Sequence, residues 1–319
     1  MDFFESLKAN FAAVAQIVVL GGFGFYIIKN GILGQCCLKT ISNLVTDFAL
    51  PCFVFSNIVA NFHLVRGSAW HMFPIYCLMM LAAGAGMAAV VARLDGGIER
   101  KREFVALATF QNSGFLPIIL IGALAPPEMK DKLFIYVFLY LLAYNPVLFT
   151  FGEKLFSGGA AAKISWRSLL NPTTVATVAG LAVALADAGH LIPRFIFRPI
   201  QMMGETTIPL SMVVIGGIIV ANYGSGAAFP WKFAAKAGAL KLIALPAVVF
   251  VALKFIDAAP DARFFLALES MMPSAVLLPL LAGKHGGDEA LAGRTLFGVT
   301  LASLLTVPIL LAVFGAAFN

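Results

Sequence analysis

Ten apolar runs, separated by short polar or Pro/Gly breaks, fill almost the whole chain. They lie near 9–29, 38–62, 70–93, 103–125, 133–156, 168–188, 197–222, 232–256, 262–283 and 291–318. A helix needs about 20 apolar residues to cross the hydrocarbon core of a bilayer. Lipid also tolerates only elements that satisfy their own backbone hydrogen bonds, so each run reads as a membrane-spanning helix. Ten such helices use roughly 200 residues, which in a chain of 319 residues leaves short loops and no room for a soluble domain. Composition agrees: 61% of residues are apolar and 12% charged. Soluble domains carry about 25% charged residues, and so few charges could not cover a globular surface. The predicted fold class is an all-α polytopic membrane protein of about ten transmembrane helices.

The formal net charge of +6 is read as topology rather than as nucleic-acid binding, because basic residues collect in cytoplasmic loops. Loops after odd-numbered runs hold 13 Lys and Arg residues, against 8 on the other side. This bias predicts both termini outside a cell (inner) membrane. The start carries only Asp2, Glu5 and Lys8 before an apolar run long enough to span, so it is not read as a cleavable signal peptide. The four cysteines, Cys36, Cys37, Cys52 and Cys77, lack metal-ligand spacing and read as small apolar residues. No cofactor is expected.

The chain resembles itself. Asn43, Asp47 and Pro51 in the second run map onto Gln201, Glu205 and Pro209 in the seventh at a shift of 158. Arg102-x-Phe104-x-Ala106-Leu107 maps onto Arg263-x-Phe265-x-Ala267-Leu268 at 161, and Lys132 and Pro146 map onto Arg294 and Pro308 at 162. A period this long marks an internal repeat. Each half holds five runs, an odd number, so the second half enters the membrane from the opposite side. Residues 1–156 and 168–319 are therefore read as two inverted five-helix repeats joined by a short cytoplasmic linker, 157–167. Many secondary transporters have this architecture.

The fourth and ninth runs are interrupted at corresponding places. The fourth reads Phe110-Gln111-Asn112-Ser113-Gly114-Phe115-Leu116-Pro117, and the ninth Met271-Met272-Pro273-Ser274-Ala275-Val276-Leu277-Leu278-Pro279. Proline removes a backbone donor and clashes with the preceding turn. An interrupted pair in two repeats points to a midplane binding site, and half-helix N-termini suit an anion. Ordinary kinks are the alternative. Asn112, Ser113, Gly114, Pro117, Pro273, Ser274 and Pro279 are the candidate substrate-binding residues.

Charges inside the membrane are costly and rarely idle. Asp47, Glu205, Lys241 and Glu269 are the candidates. Asp47 and Glu205 each lie four residues before a proline, with Asn43 and Gln201 one turn earlier on the same face. A carboxylate with an amide suits a proton relay or a sodium site, unless both groups reach the interface. Lys241 could pair with Glu205 or Glu269, or snorkel. Glu269, one turn before Pro273, could face the cavity. Thr206, Thr207, Ser211, Ser56 and Asn57 could line it, or serve as helix-packing contacts. The histidines His63, His71, His190 and His285 sit at run ends and read as interfacial.

In order and spacing, several segments resemble the auxin efflux carrier family, which includes PIN and PIN-like carriers and bacterial organic-acid permeases. These are Ser42-Asn43-Leu44 through Phe48-Ala49-Leu50-Pro51; Gln111-Asn112-Ser113-Gly114-Phe115; Pro209-Leu210 followed by Ile215-Gly216-Gly217; and Met272-Pro273-Ser274 followed by Leu281-Ala282 and Gly286-Gly287-Asp288. The resemblance implies a fold of the NhaA or bile-acid-symporter type. Helices 1, 2, 6 and 7 would form a scaffold that supports a homodimer, and helices 3–5 and 8–10 a transport (elevator) domain. The broken helices 4 and 9 would cross at Asn112, Pro117, Pro273 and Pro279 with substrate beside them, and Asp47 and Glu205 would support or couple. Many members carry proline seven residues after this Asn, where Ile119 stands here, so the break is expected to shift by about half a turn.

The function expected is secondary active transport of small organic anions, such as malonate, malate or auxin-like acids, by alternating access, coupled to sodium or protons or to neither. A cation/proton antiporter or a bile-acid-type sodium symporter on the same fold is the alternative. An intramembrane enzyme is disfavoured, because the chain holds neither a GxSxG-like serine nor an HExxH motif.

Overall fold

The computed structural model describes residues 3–157, 170–223 and 228–318. The expected linker therefore lies almost wholly outside the described residues. Among these residues every regular element is helical. In chain order they are α1 (Phe3–Lys29), α2 (Gln35–Leu44), α3 (Leu50–Asn61), α4 (Phe73–Leu94), α5 (Lys101–Thr109), α6 (Phe115–Leu124), α7 (Pro127–Val147) and α8 (Glu153–Phe156). These are followed by α9 (Pro172–Leu185), α10 (Arg194–Glu205), α11 (Thr207–Tyr223), α12 (Trp231–Ala239), α13 (Leu245–Leu253), α14 (Pro260–Ser270), α15 (Leu278–His285) and α16 (Glu289–Phe318).

Six helical stretches are long and apolar enough to cross a membrane: Leu7–Lys29, Cys37–Leu64, Trp70–Leu94, Pro127–Phe156, Trp231–Leu253 and Glu289–Phe318. The other four expected runs are not continuous long helices. The fourth is split into α5 and α6, the ninth into α14 and α15, and the seventh turns at Thr206 between α10 and α11. In the sixth, the described residues form only the 14-residue helix α9.

Three of the long stretches contain a π-turn near a proline. Val45–Ala49 precedes Pro51, Leu240–Ala244 precedes Pro246, and Leu148–Gly152 follows Pro146. A proline ring clashes with the carbonyl four residues back, which for Pro51 and Pro246 is that of Asp47 and Leu242, inside the preceding π-turn. Widening that turn relieves the clash without ending the helix.

The core centres on α7, where every residue from Leu133 to Leu141 is buried. A helix that is apolar all round belongs inside a bundle. By contrast, α1 exposes Val18, Val19, Phe23 and Tyr26, an apolar surface of the kind that faces lipid.

At one end of the core, Lys132 of α7 is ion-paired with Asp261 of α14. The same carboxylate accepts from the Tyr136 hydroxyl at 3.0 Å and from the Ala262 N–H at 2.9 Å. Burial alone would raise the Asp261 carboxyl, but Lys132 and these donors outweigh it and hold it below the usual carboxylate range. Lys132→Met is expected to cost about 1–3 kcal/mol at neutral pH, because it leaves a buried acceptor without its cation. A carboxyl lowered by folding adds stability above its unfolded pKa of about 3.9 and loses it as pH falls through the folded value. The gap between variant and unaltered protein should therefore close below about pH 4. Thermal unfolding against pH checks this, and a gap that persists in acid would rule out the ionic origin.

Candidate functional site

The two interruptions meet. Chain 110–114 runs antiparallel to chain 271–277, with Gln111 bridged to Ser274. The Asn112 N–H donates to the Pro273 carbonyl at 2.8 Å, and the Ala275 N–H to the Phe110 carbonyl at 2.9 Å. The Ser274 hydroxyl donates to the Leu107 carbonyl at 2.6 Å, closing the last turn of α5. Backbone groups freed by breaking each helix are thus satisfied by the other break, which is what makes irregular chain tolerable at membrane depth.

Beside this crossing lies a cavity of about 230 Å³. Its polar wall is Thr46, Asp47, Gln111, Asn112, Ser113, Tyr144, Asn145, Asn171 and Thr173, and its apolar wall includes Leu50, Phe115, Leu141, Leu148, Phe149 and Leu277. Three helices begin on it. Gly114 and Phe115 open α6, Asn171 and Pro172 open α9, and Val276 and Leu277 lead into α15. Asn171 caps its own helix by accepting from the Thr174 N–H at 2.8 Å. The Asn112 side-chain oxygen accepts from the Phe115 N–H at 3.3 Å. The Ser113 hydroxyl is buried and lies beside the Glu269 carboxyl. Among the described lining residues Asp47 carries the one formal charge. Asn112 also borders a smaller cavity of about 30 Å³, against Leu116, Ile215 and Val276.

Of the expected substrate residues, Asn112, Ser113 and Gly114 line the larger cavity, while Pro117, Pro273, Ser274 and Pro279 do not. Pro117 and Pro279 fall in the first turns of α6 and α15. There a missing N–H costs nothing, so these prolines start the half-helices rather than break them. Pro273 offers its carbonyl to Asn112, and Ser274 is turned to the α5 backbone.

The structure separates the two expected carboxylates from the buried pair. Asp47 and Glu205 are exposed rather than buried. Asp47 reaches the cavity from the π-turn, with the Thr46 hydroxyl 3.2 Å from its Oδ1. Asn43 is exposed and off the lining. Glu205 and Gln201 sit on the outer face of α10, where Arg198 reaches both, at 3.4 Å and 3.0 Å. Glu205 is therefore no partner for Lys241. Thr206 and Ser56 donate to their own helix backbones, as packing residues do.

Lys241 and Glu269 are both fully buried behind the crossing, off the cavity. The Lys241 ammonium donates to the Thr109 carbonyl at 2.7 Å and to Gln111 Oε1 at 3.1 Å, rather than snorkelling. Gln111 Nε2 donates in turn to the Tyr140 hydroxyl at 2.6 Å, and the Tyr144 hydroxyl donates to the Gln111 carbonyl. The Glu269 carboxyl has the Ser113 hydroxyl and the Lys241 ammonium as its polar neighbours. Sequence reasoning missed Gln111, Tyr140 and Tyr144 as site residues. The available signal was the spacing Tyr136, Tyr140, Tyr144, which puts three phenols on one face of α7.

Described residues that are helical in every regular element, with six apolar spans and a polar crossing among them, mark a multi-pass membrane protein of the transporter class. The membrane transport protein family model matches residues 9–157 and 159–311, and the chain belongs to this family, that of the auxin efflux carriers. A transporter of Methanothermobacter thermautotrophicus is 23% identical, over 93% of this chain and 95% of its own. PIN-LIKES 1 of Arabidopsis thaliana is also 23% identical, over 89% of this chain and 74% of its own. A transporter of Schizosaccharomyces pombe is 28% identical over 41% of this chain. That match spans about a third of the yeast protein's length (31%).

Proposed function

We propose that the protein is a secondary transporter of small organic anions, with the substrate held in the cavity beside the crossing of the two broken helices. The observation that carries this reading is the convergence of three helix N-termini and the Asn112 amide on one cavity. Helix N-termini present free N–H groups and partial positive charge to an anion. Asn112 and Ser113 would supply side-chain donors, and the apolar wall would take the body of the acid. A monocarboxylate with an apolar body suits this lining better than a dianion such as malate, because Asp47 already places a negative charge there.

The inverted five-helix repeat, the division into scaffold and moving helices, alternating access and a homodimer belong to the same reading. Support comes from the two interruptions at matching places and from a family match that falls into two stretches meeting near residue 158. The basic-residue bias supports both termini outside.

Thermal unfolding of the detergent-purified protein across monocarboxylates, dicarboxylates and indole acids tests the reading. A ligand bound only by the folded state adds about 2.7 kcal/mol at a hundred times its dissociation constant. A shift for monocarboxylates is expected. Shifts from pH or sodium alone, with no response to any anion, would instead favour a cation antiporter working through Asp47.

A further inference from the structure

We propose that the end of α5 is a cation seat which the chain fills with its own Lys241 ammonium. In transporters built on broken helices, the C-terminal ends of half-helices and unwound carbonyls coordinate the coupling cation. Thr109 is the last residue of α5, so its carbonyl carries the partial negative charge of that helix end. The ammonium binds this carbonyl at 2.7 Å and the Gln111 amide oxygen at 3.1 Å. Neutral oxygens of this kind are ligands for a hard cation.

A second observation points to a cation at the same place. The Glu269 carboxyl is fully buried, with the Ser113 hydroxyl beside it and Lys241 as its neighbouring positive charge. A buried carboxylate needs a compensating charge. The phenols of Tyr140 and Tyr144 and the Cys77 thiol complete the titratable surroundings, and none of these brings a positive charge. The π-turn Leu240–Ala244 carries Lys241 on a wound segment of the eighth run. The cation is therefore covalently tethered and cannot dissociate during a cycle. The consequence for transport rests on the proposed function: a sodium gradient cannot act through this seat.

The cation measurement does not depend on any substrate. Unfolding temperatures are compared in sodium chloride and in choline chloride for the unaltered protein, Lys241→Ala and Lys241→Arg. Choline is too large to enter the vacated space. The expected result is a sodium-minus-choline shift that is larger for Lys241→Ala than for the other two, because the vacated oxygens accept the ion. Folding of Lys241→Ala in sodium but not in choline supports the proposal in the same way. Equal shifts in all three proteins overturn it, as does a Lys241→Ala protein that sodium fails to rescue. An anion response lost while the sodium difference survives would sink the substrate reading and leave the cation seat standing.

Discussion

Asn112→Ala is expected to weaken anion binding about 10–100-fold while leaving the protein folded. Hydrogen bonds to charged groups contribute roughly 1.5–3 kcal/mol, and each 1.4 kcal/mol is about tenfold in affinity. The backbone bond from the Asn112 N–H to the Pro273 carbonyl survives the change, so the crossing itself is kept. What is lost in the free protein is one side-chain bond to the Phe115 N–H, a cost of about 0.5–1.5 kcal/mol. The predicted signature is a large loss of ligand-induced stabilisation with a small change in ligand-free stability. Titration of the purified protein, with uptake into proteoliposomes, separates the two. If affinity for every stabilising acid is unchanged, the site is not at the crossing.

The second large effect concerns helix approach rather than ligand. A Cβ on Gly216 of α11 would lie against the Gly21 carbonyl and 2.7 Å from the Phe25 nitrogen, both backbone groups of α1. Gly24 of α1 stands in the same relation to the Val213 backbone, its ideal Cβ 2.7 Å from the Val213 Cα. Small residues let membrane helices pack backbone to backbone, where dispersion contacts replace a hydrophobic driving force that lipid does not provide. Gly216→Ala should cost about 1–3 kcal/mol by overpacking, and Gly216→Val more. Gly22→Ala, next to Gly21 in sequence but with nothing within 4 Å of an added Cβ, is the control. It should be neutral, or stabilising by up to about 1 kcal/mol, since alanine is the better helix former. Equal losses at Gly22 and Gly216 would show that close packing is not the cause.

Membrane character and the two interruptions could be read from the chain because both are local properties. An apolar run of bilayer length, or a Pro with small polar neighbours inside one, carries its meaning without reference to other segments. The same local reading misassigned Pro117 and Pro279. A proline is equally at home breaking a helix or occupying its first turn, and only the start points of α6 and α15 distinguish the two roles.

Burial of the ionisable groups was a different kind of question. Asp47, Glu205, Lys241 and Glu269 look alike as charges within apolar runs, yet two are exposed and two are fully buried. That outcome depends on how each helix is rotated about its axis and on what packs against it, which are properties of the assembled bundle. Pairing depends on the same assembly: Lys241 is separated from Thr109 and Gln111 by 132 and 130 residues. The sequence by itself determined that this chain lives in a membrane, breaks two of its helices and belongs among carriers, because hydrophobicity and backbone chemistry act residue by residue. Which broken ends meet, which polar groups line the cavity and which cation sits behind it were decided only by tertiary structure, because each requires groups from distant segments to occupy one small volume.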